Sequence, residues 1–92
     1  MKKITAFEYE GCPYCEQGKK AIDELIKENP EYGKIEIEWI EEHEHPEIIA
    51  NYDYQSTPSM FIEKEKLYEA HLYETFEECK ENIRKVFERA IK

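Results

Sequence analysis

Residues 4–28 read ITAFEYEGCPYCEQGKKAIDELIKE, and two different hydrophobic patterns meet in this stretch at a pair of cysteines. The first part is rich in β-branched and aromatic residues, which predicts a strand at about residues 3–8. Apolar residues then recur at helical spacing as far as Ile26. Pro13 suits the first position of that helix, where a missing N–H costs nothing, and the helix is predicted to end at Asn29. The cysteine pair therefore lies between a strand and the start of a helix.

The rest of the chain continues this alternation of strands and helices. KIEIEWI alternates apolar and acidic residues, which predicts a strand with one wet face. A capping box of Thr75 and Glu78 opens the last helix. The predicted segments are a strand over Ile35–Ile40, a short helix from about Pro46 to Tyr52, strands over 59–63 and 66–72, and a helix over 76–91.

This order, β-α-β-α-β-β-α, predicts an α/β fold. A right-handed crossover makes the first two strands parallel, and the last two strands form a hairpin. We therefore expect a four-stranded mixed sheet flanked by helices on both faces.

Length and composition limit the classes of function. The 92 residues form one domain, 1–92, and 40% hydrophobic content with 13% aromatic residues predicts a folded core. The net charge of −9 argues against nucleic acid and anionic membrane surfaces as partners. The sequence contains no signal peptide and no apolar run that could span a bilayer, so we expect a cytoplasmic protein. In a reducing compartment, a close cysteine pair indicates redox or metal chemistry.

The position of the pair favours redox chemistry. Cys12 falls at the N-cap of the helix, where the free amides of Tyr14 and Cys15 would point at its sulfur and stabilise the thiolate. Cys15 lies one turn further on, close by but better covered. We therefore expect Cys12 to attack disulfides and Cys15 to resolve the mixed disulfide, while Pro13 fixes the backbone and Tyr14 forms a rim.

Charged residues around the pair act in both directions. Glu8, Glu10 and Glu16 oppose a thiolate, and Lys19 and Lys20 partly offset them. Exposed charges are screened over about 8–10 Å. We expect the aligned amides to dominate.

A metal site is the competing interpretation of the same pair. Structural zinc needs four ligands, and the chain has no second Cys-x-x-Cys. His43 and His45 are predicted to lie in a solvated turn, so we expect no metal. Cys79 falls on the apolar stripe of the last helix, which predicts a buried structural thiol.

Two segments resemble a known family. GCPYC resembles the dithiol active-site motif of glutaredoxins, and HPEIIANYDYQSTPSMFI resembles the thioredoxin-superfamily segment that leads into the proline loop. The resemblance implies a thioredoxin-like fold over nearly the whole chain. It also implies that Pro58 is a cis proline facing the cysteines and that the main chain of Thr57 holds the substrate backbone. Asp53 stands where the superfamily commonly has glycine.

The resemblance implies glutathione-dependent reduction of disulfides. Glutathione would be the co-substrate, with no bound cofactor, and the partners would be disulfide-bonded or glutathionylated proteins. We expect a monomer. The substrate-binding residues implied are Pro13, Tyr14, Thr57 and Pro58, beside the catalytic Cys12 and Cys15.

Departures from the family pattern keep two other interpretations open. Tyr9 stands where glutaredoxins often have a lysine or arginine, and the usual Gly-Gly pair before the last helix is missing. These departures favour a small redoxin that a flavin-dependent thioredoxin reductase recharges. Against true thioredoxin, no tryptophan precedes Cys12, and Ala6 replaces that family's buried acid. The third interpretation is a module that binds an iron–sulfur cluster with glutathione as an extra ligand.

Overall fold

The computed structural model describes residues 1–92 and contains four strands and three helices in the predicted order. The strands are β1 (Ile4–Glu8), β2 (Ile37–Glu41), β3 (Ser59–Ile62) and β4 (Glu65–Glu69); the helices are α1 (Pro13–Glu28), α2 (Pro46–Ile49) and α3 (Phe76–Ile91). A 3₁₀ turn over Pro30–Lys34 follows α1. None of the helices combines the length and the apolar character needed to cross a membrane.

The four strands form one mixed sheet in the order β2-β1-β3-β4. β1 and β2 are parallel, with Ile4 opposite Ile37, whereas β3 is antiparallel to both β1 and β4. The predicted α/β fold is confirmed, including the parallel first pair and the final hairpin. Because β1 and β2 run the same way, their carboxyl ends share one edge of the sheet.

Alternate residues of the strands supply two hydrophobic cores, because successive strand side chains point to opposite faces. Ile4 and Ala6 belong to the larger core, together with buried residues of α1 and α3. Phe7 belongs to a smaller core with Ile40 and Phe61, which the α2 region covers. Helices therefore pack on both faces, as predicted.

Close packing of α1 against its surroundings positions the cysteine pair. Leu25 and Phe87 are fully buried, and each such side chain contributes about 1.5–3 kcal/mol relative to exposure. A Cβ added at Gly18 would lie 3.4 Å from Pro58 Cγ and 3.8 Å from Ile83 Cδ1. These are ordinary van der Waals distances, so α1 packs directly against the proline loop and α3 at this position.

The 3₁₀ turn shifts the start of β2. The strand begins at Ile37, not at the expected Ile35. The N–H of Ile35 donates to the carbonyl of Tyr32 at 3.2 Å, so Ile35 closes the turn instead of joining the sheet ladder.

The bounds of three further elements differ from the sequence predictions. α2 ends at Ile49, not Tyr52, and the ring of Tyr52 instead contacts Phe7 edge-on at 4.9 Å. β3 ends at Ile62 because Glu63 takes a positive φ of 57° in the hairpin turn. β4 covers Glu65–Glu69 rather than 66–72.

Candidate active site

Cys12 caps α1 through its sulfur. Its backbone is extended (φ −75°, ψ 113°), the helix begins at Pro13, and the Cys15 N–H donates to Cys12 Sγ at 3.1 Å. This amide was predicted to face the sulfur. The second predicted donor, the N–H of Tyr14, makes no hydrogen bond to Cys12. One amide, not two, therefore holds the sulfur at the helix start.

The loop before β3 supplies the other contacts of Cys12. The Thr57–Pro58 peptide bond is cis, the geometry that the resemblance implied. Thr57 Oγ1 lies 3.4 Å from Cys12 Sγ, and the Thr57 carbonyl oxygen lies 3.7 Å from it. A Cys12 thiol can donate to either oxygen, whereas a thiolate can accept from the hydroxyl. The sequence did not indicate this side-chain contact, because threonine before a proline carries no signal of its own.

Cys15 and Cys12 have the same exposed fraction, but they differ in whether they line the neighbouring cavity. Both residues are 2% exposed, so the expectation that Cys15 is better covered was wrong. Only Cys12 lines the adjoining cavity. Burial, followed by the hydrogen bond with Cys12, raises the pKa of Cys15 to about 12. Cys15 is therefore a protonated thiol at neutral pH.

The cavity beside Cys12 has a volume of about 260 Å³ and lies at the carboxyl edge of β1 and β2. Two tyrosines, one carboxylate and one loop form its walls. The lining residues are Tyr9, Cys12, Tyr14, Glu42, Gln55, Ser56 and Thr57. Cys12 and Thr57 thus line the same open cavity.

Tyr14 ties the cysteine turn to the loop before α3. The N–H of Tyr73 donates to the Tyr14 hydroxyl at 2.7 Å, and Tyr73 itself has a positive φ of 66°. Its side chain is 83% exposed. Tyr14 lies at the rim of the cavity, where the sequence placed it, and Pro13 occupies the first helical position.

Two of the charged residues near the cysteine pair, Lys19 and Glu8, form an ion pair with each other. Lys19 Nζ lies 2.7 Å from Glu8 Oε1 and 4.9 Å from the centre of the Trp39 ring. The Glu8 hydrogen bond raises the pKa of Lys19. Glu10, Glu16 and Lys20 are exposed, and no ion pair joins them to another residue. The charge of Glu8 is therefore balanced locally.

Glu42 is the residue of the site that sequence analysis missed. It lies one position beyond β2, its carboxylate accepts a hydrogen bond from the Tyr54 hydroxyl at 2.9 Å, and it faces the cavity. Within the run EEHEH it was indistinguishable from solvated acids. The available signal was its place after a parallel strand beside β1, since ligands bind outside the carboxyl ends of such strands.

The histidines and the third cysteine lie apart from this cavity. His43 and His45 pair with Glu41 and Glu47 on the surface, at 3.3 and 3.4 Å. Cys79 is fully buried on α3, as predicted. No three His, Cys, Asp or Glu side chains are grouped as metal ligands would be.

Comparisons with known proteins agree with this geometry. A family model described as a thioredoxin domain matches residues 2–70. The structure is similar to thioredoxin 1 from the thermophilic eubacterium Thermosipho africanus TCF52B, with a TM-score of 0.59 and 22% sequence identity. That alignment covers 98% of this chain and 99% of the other, which shows a thioredoxin-like fold. No curated protein matches the chain.

The family match spans more than half of the chain and includes both the cysteine pair and the cis-proline loop. The chain therefore belongs to the thioredoxin domain family, as a thioredoxin-like thiol–disulfide redox protein with Cys12 and Cys15 as its dithiol.

Proposed function

We propose that this protein reduces disulfides of other proteins, with Cys12 as the nucleophile and Cys15 as the resolving thiol. The arrangement around Cys12 Sγ is the main support. The sulfur opens onto the cavity, accepts the Cys15 amide and lies beside the Thr57 hydroxyl. Cys15 has no such opening and keeps its proton.

The proposed reaction transfers two electrons in two exchange steps. The Cys12 thiolate attacks one sulfur of the substrate disulfide, so a Cys12–substrate bond forms and the other substrate sulfur leaves as a thiolate, which takes up a proton. Cys15 then loses its proton and attacks the Cys12 sulfur. The Cys12–Cys15 bond forms, and the second substrate sulfur leaves as a thiol. The substrate is reduced and the pair is oxidised.

Substrate binding at Thr57 is part of the proposal. Thr57 lies beside Cys12 in the cavity wall, so its main chain can pair with an extended segment next to the target cysteine. Pro58 fixes the direction of that main chain, and Tyr14 closes the opposite side. Such backbone pairing accepts many side chains, which suits protein disulfides as substrates.

A flavin-dependent reductase with its own dithiol is the proposed source of electrons. Its dithiol would attack the Cys12–Cys15 disulfide and restore both thiols while becoming oxidised. Glutathione carries a net negative charge, and the cavity wall contains a carboxylate and no lysine, arginine or histidine. Electrostatic complementarity therefore favours the reductase.

Glutathione is the second candidate donor, on the strength of the Cys-Pro-Tyr-Cys sequence. In that route one glutathione thiolate attacks Cys12 of the Cys12–Cys15 disulfide, so that a Cys12–glutathione bond forms and Cys15 leaves as a thiolate. A second glutathione thiolate then attacks the glutathione sulfur of this mixed disulfide, Cys12 leaves as a thiolate, and glutathione disulfide is released. Both cysteine thiolates take up protons. Glutathionylated proteins would then be substrates as well, with Cys12 alone carrying glutathione.

One assay distinguishes the two donors. The protein is given a mixed disulfide together with either thioredoxin reductase or glutathione plus glutathione reductase, and NADPH loss is followed. We expect turnover with thioredoxin reductase and at most weak turnover with glutathione. The opposite result would establish the glutathione route. Loss of all turnover in the wild type would refute disulfide reduction itself.

Variants of the pair test the roles. Cys12→Ser is expected to abolish both routes. Cys15→Ser is expected to retain only attack and monothiol exchange. An active Cys12→Ser variant would reverse the assignment.

A further inference from the structure

We propose that the cavity beside Cys12 is a subsite for a lysine or arginine side chain that flanks the target cysteine of the substrate. Glu42 is its specificity-determining residue. The inference rests on the proposed disulfide reduction and adds the chemical class of substrate.

The Glu42 carboxylate is held in place but is not neutralised. The Tyr54 hydroxyl donates to it at 2.9 Å, and the Tyr54 ring stacks on the fully buried Phe7 with centroids 4.8 Å apart. The Glu42 N–H donates to the Glu8 carbonyl at 2.9 Å, which extends the β1–β2 ladder. None of the lysines, arginines or histidines forms an ion pair with Glu42. A fixed carboxylate without a cation therefore faces the cavity.

Two other acids near this edge, Glu8 and Glu41, are occupied by groups of the protein itself. Glu8 pairs with Lys19 at 2.7 Å. Glu41 accepts the backbone N–H groups of Glu10 and His43, at 2.8 and 2.5 Å. Those hydrogen bonds, with the Glu10 amide as the largest cause, lower the pKa of Glu41. Glu8 and Glu41 are thus bound within the protein, and Glu42 is the acid that lines the cavity.

The other walls suit the long side chain of a basic residue. Tyr9 and Tyr14 line the cavity, and Tyr9 is 37% exposed. Aromatic faces attract ammonium and guanidinium groups and also contact their methylene stems. The occupant would therefore place its stem along the tyrosines and its charge at Glu42.

The place of Glu42 relative to the nucleophile gives the subsite its selectivity. Glu42 and Cys12 line the same cavity. A substrate cation seated there faces both the carboxylate and the Cys12 thiolate, so its charge is favourable to binding and to attack. An acidic residue in the same place would face two negative groups.

Long-range attraction by the net charge of −9 also favours basic substrates, so the experiment must separate the two effects. Glu42→Gln and Glu44→Gln provide a matched pair. Each removes one negative charge, and the two positions are two residues apart. Glu44 is exposed and does not line the cavity. A glutamine at 42 can still accept the Tyr54 hydrogen bond.

The substrates are three synthetic peptides with one cysteine each, blocked as a disulfide with 2-mercaptoethanol. Two lysines, two glutamines or two glutamates flank the cysteine. With the active donor system, kcat/KM is measured for each peptide at two salt concentrations. We expect the wild type to prefer the lysine peptide over the glutamine peptide by about fivefold to tenfold, with the glutamate peptide last.

Glu42→Gln is expected to remove most of this preference, whereas Glu44→Gln retains it. Tyr54→Phe keeps the charge but releases the carboxylate, and we expect it to reduce the preference by about twofold to threefold. Equal losses in Glu42→Gln and Glu44→Gln would overturn the subsite and assign the preference to net charge. Equal rates on all three peptides in the wild type would overturn it too, while leaving disulfide reduction intact.

Binding without chemistry separates the subsite from the proposed reaction. The same peptides with serine in place of cysteine are titrated into the reduced protein, and amide shifts of Glu42 and its neighbours are followed by NMR. Selective binding of the lysine peptide that Glu42→Gln abolishes, without turnover of any disulfide, would support the subsite and refute the reaction. Shifts elsewhere, or none, together with no lysine preference in turnover, would refute the subsite.

Discussion

Cys12 and Cys79 have nearly the same exposed area, yet their surroundings differ in kind. Cys12 is 2% exposed, and its sulfur meets an amide N–H, a hydroxyl and an open cavity. Cys79 is fully buried on α3, and its sulfur lies 3.3 Å from the Tyr68 hydroxyl. Tyr68 also contacts Glu74 Oε1 at 2.5 Å, inside the core.

The comparison shows that burial alone does not decide which thiol reacts. The Cys12 sulfur lies where a helix start supplies a free donor and a substrate can approach. The Cys79 sulfur lies beside the Tyr68 hydroxyl, which donates a hydrogen bond to the Glu74 carboxylate, and nothing can reach the sulfur without opening the core. Burial is the largest cause that raises the pKa of Cys79, which keeps this thiol neutral. We therefore expect the Cys12 sulfur to react with disulfides and the Cys79 sulfur to serve only in packing.

Separate substitution of Cys12 and Cys79 is expected to give the largest difference in the rate of disulfide exchange. We expect Cys12→Ser to lower the rate of disulfide exchange by ~10³-fold or more, because the nucleophile is lost. Cys79→Ala should leave the rate within about twofold. Stopped-flow reduction of a chromogenic disulfide measures both rates.

Cys79→Ala also serves as the folding control for this experiment, since its circular dichroism spectrum should match the wild type. A comparable loss of rate in a folded Cys79→Ala variant would show that the two regions are not chemically independent.

Alkylation at different pH values sharpens the comparison without mutation. Burial raises the pKa of Cys15 to about 12, so very little of this thiol is thiolate at pH 7. The pKa of Cys79 is raised as well. We expect iodoacetamide to label Cys12 first at pH 7, with Cys15 and Cys79 labelled only at higher pH in the folded, reduced protein.

Peptide mapping by mass spectrometry identifies the labelled site at each pH. Unfolding the protein in urea should make all three cysteines label at comparable rates. Labelling of Cys79 before Cys12 in the folded protein would reverse the proposed difference between the regions.

Removal of the Tyr68 hydroxyl tests whether the buried hydrogen bonds around Cys79 affect stability alone or also the exchange rate at Cys12. Tyr68→Phe takes a donor from the buried Glu74 carboxylate, which then keeps a 3.4 Å hydrogen bond from Asn82 and a 4.0 Å contact with the His71 ring. We expect the free energy of unfolding to fall by about 1–3 kcal/mol. Urea unfolding followed by circular dichroism measures this change.

Tyr73→Phe is the matched control, because the Tyr73 side chain is 83% exposed and its loss of a hydroxyl should cost under about 0.5 kcal/mol. The exchange rate at Cys12 should stay within twofold in Tyr68→Phe. A tenfold drop in that rate, with folding intact, would tie the network to the reaction.

Much of this arrangement could be predicted from the sequence, because local rules decide it. Pro13 sets the helix start, Thr75 and Glu78 form the expected capping box, and apolar periodicity assigns Cys79 to the buried face of α3. The cysteine pair itself indicated redox chemistry. Each of these inferences uses residues within a few positions of one another.

The parts that could not be predicted depend on residues distant in sequence. Thr57 meets Cys12 across 45 positions, and Glu42 faces the same cavity from the end of another strand. The single amide at Cys12 Sγ depends on the exact backbone angle at the cap, which residue types do not encode. Tyr52, which lies beyond the end of α2, likewise packs on Phe7, a residue distant in sequence.

Gly18 gives the smallest expected effect and the finest test, because it contacts both regions. A Cβ there would lie 3.4 Å from Pro58 Cγ and 4.0 Å from Cys79 Sγ, which are ordinary contact distances. Alanine is also the better helix former by up to ~1 kcal/mol. We therefore expect Gly18→Ala to change the free energy of unfolding by between 0 and about +1 kcal/mol, with exchange at Cys12 within twofold.

Gly18→Val adds branches against Pro58 and should destabilise by about 1–3 kcal/mol. The alanine variant could instead slow exchange strongly while remaining stable. That result would show that the reactivity of the Cys12 sulfur depends more on the spacing between α1 and the Pro58 loop than on the hydrogen bond from the Cys15 amide.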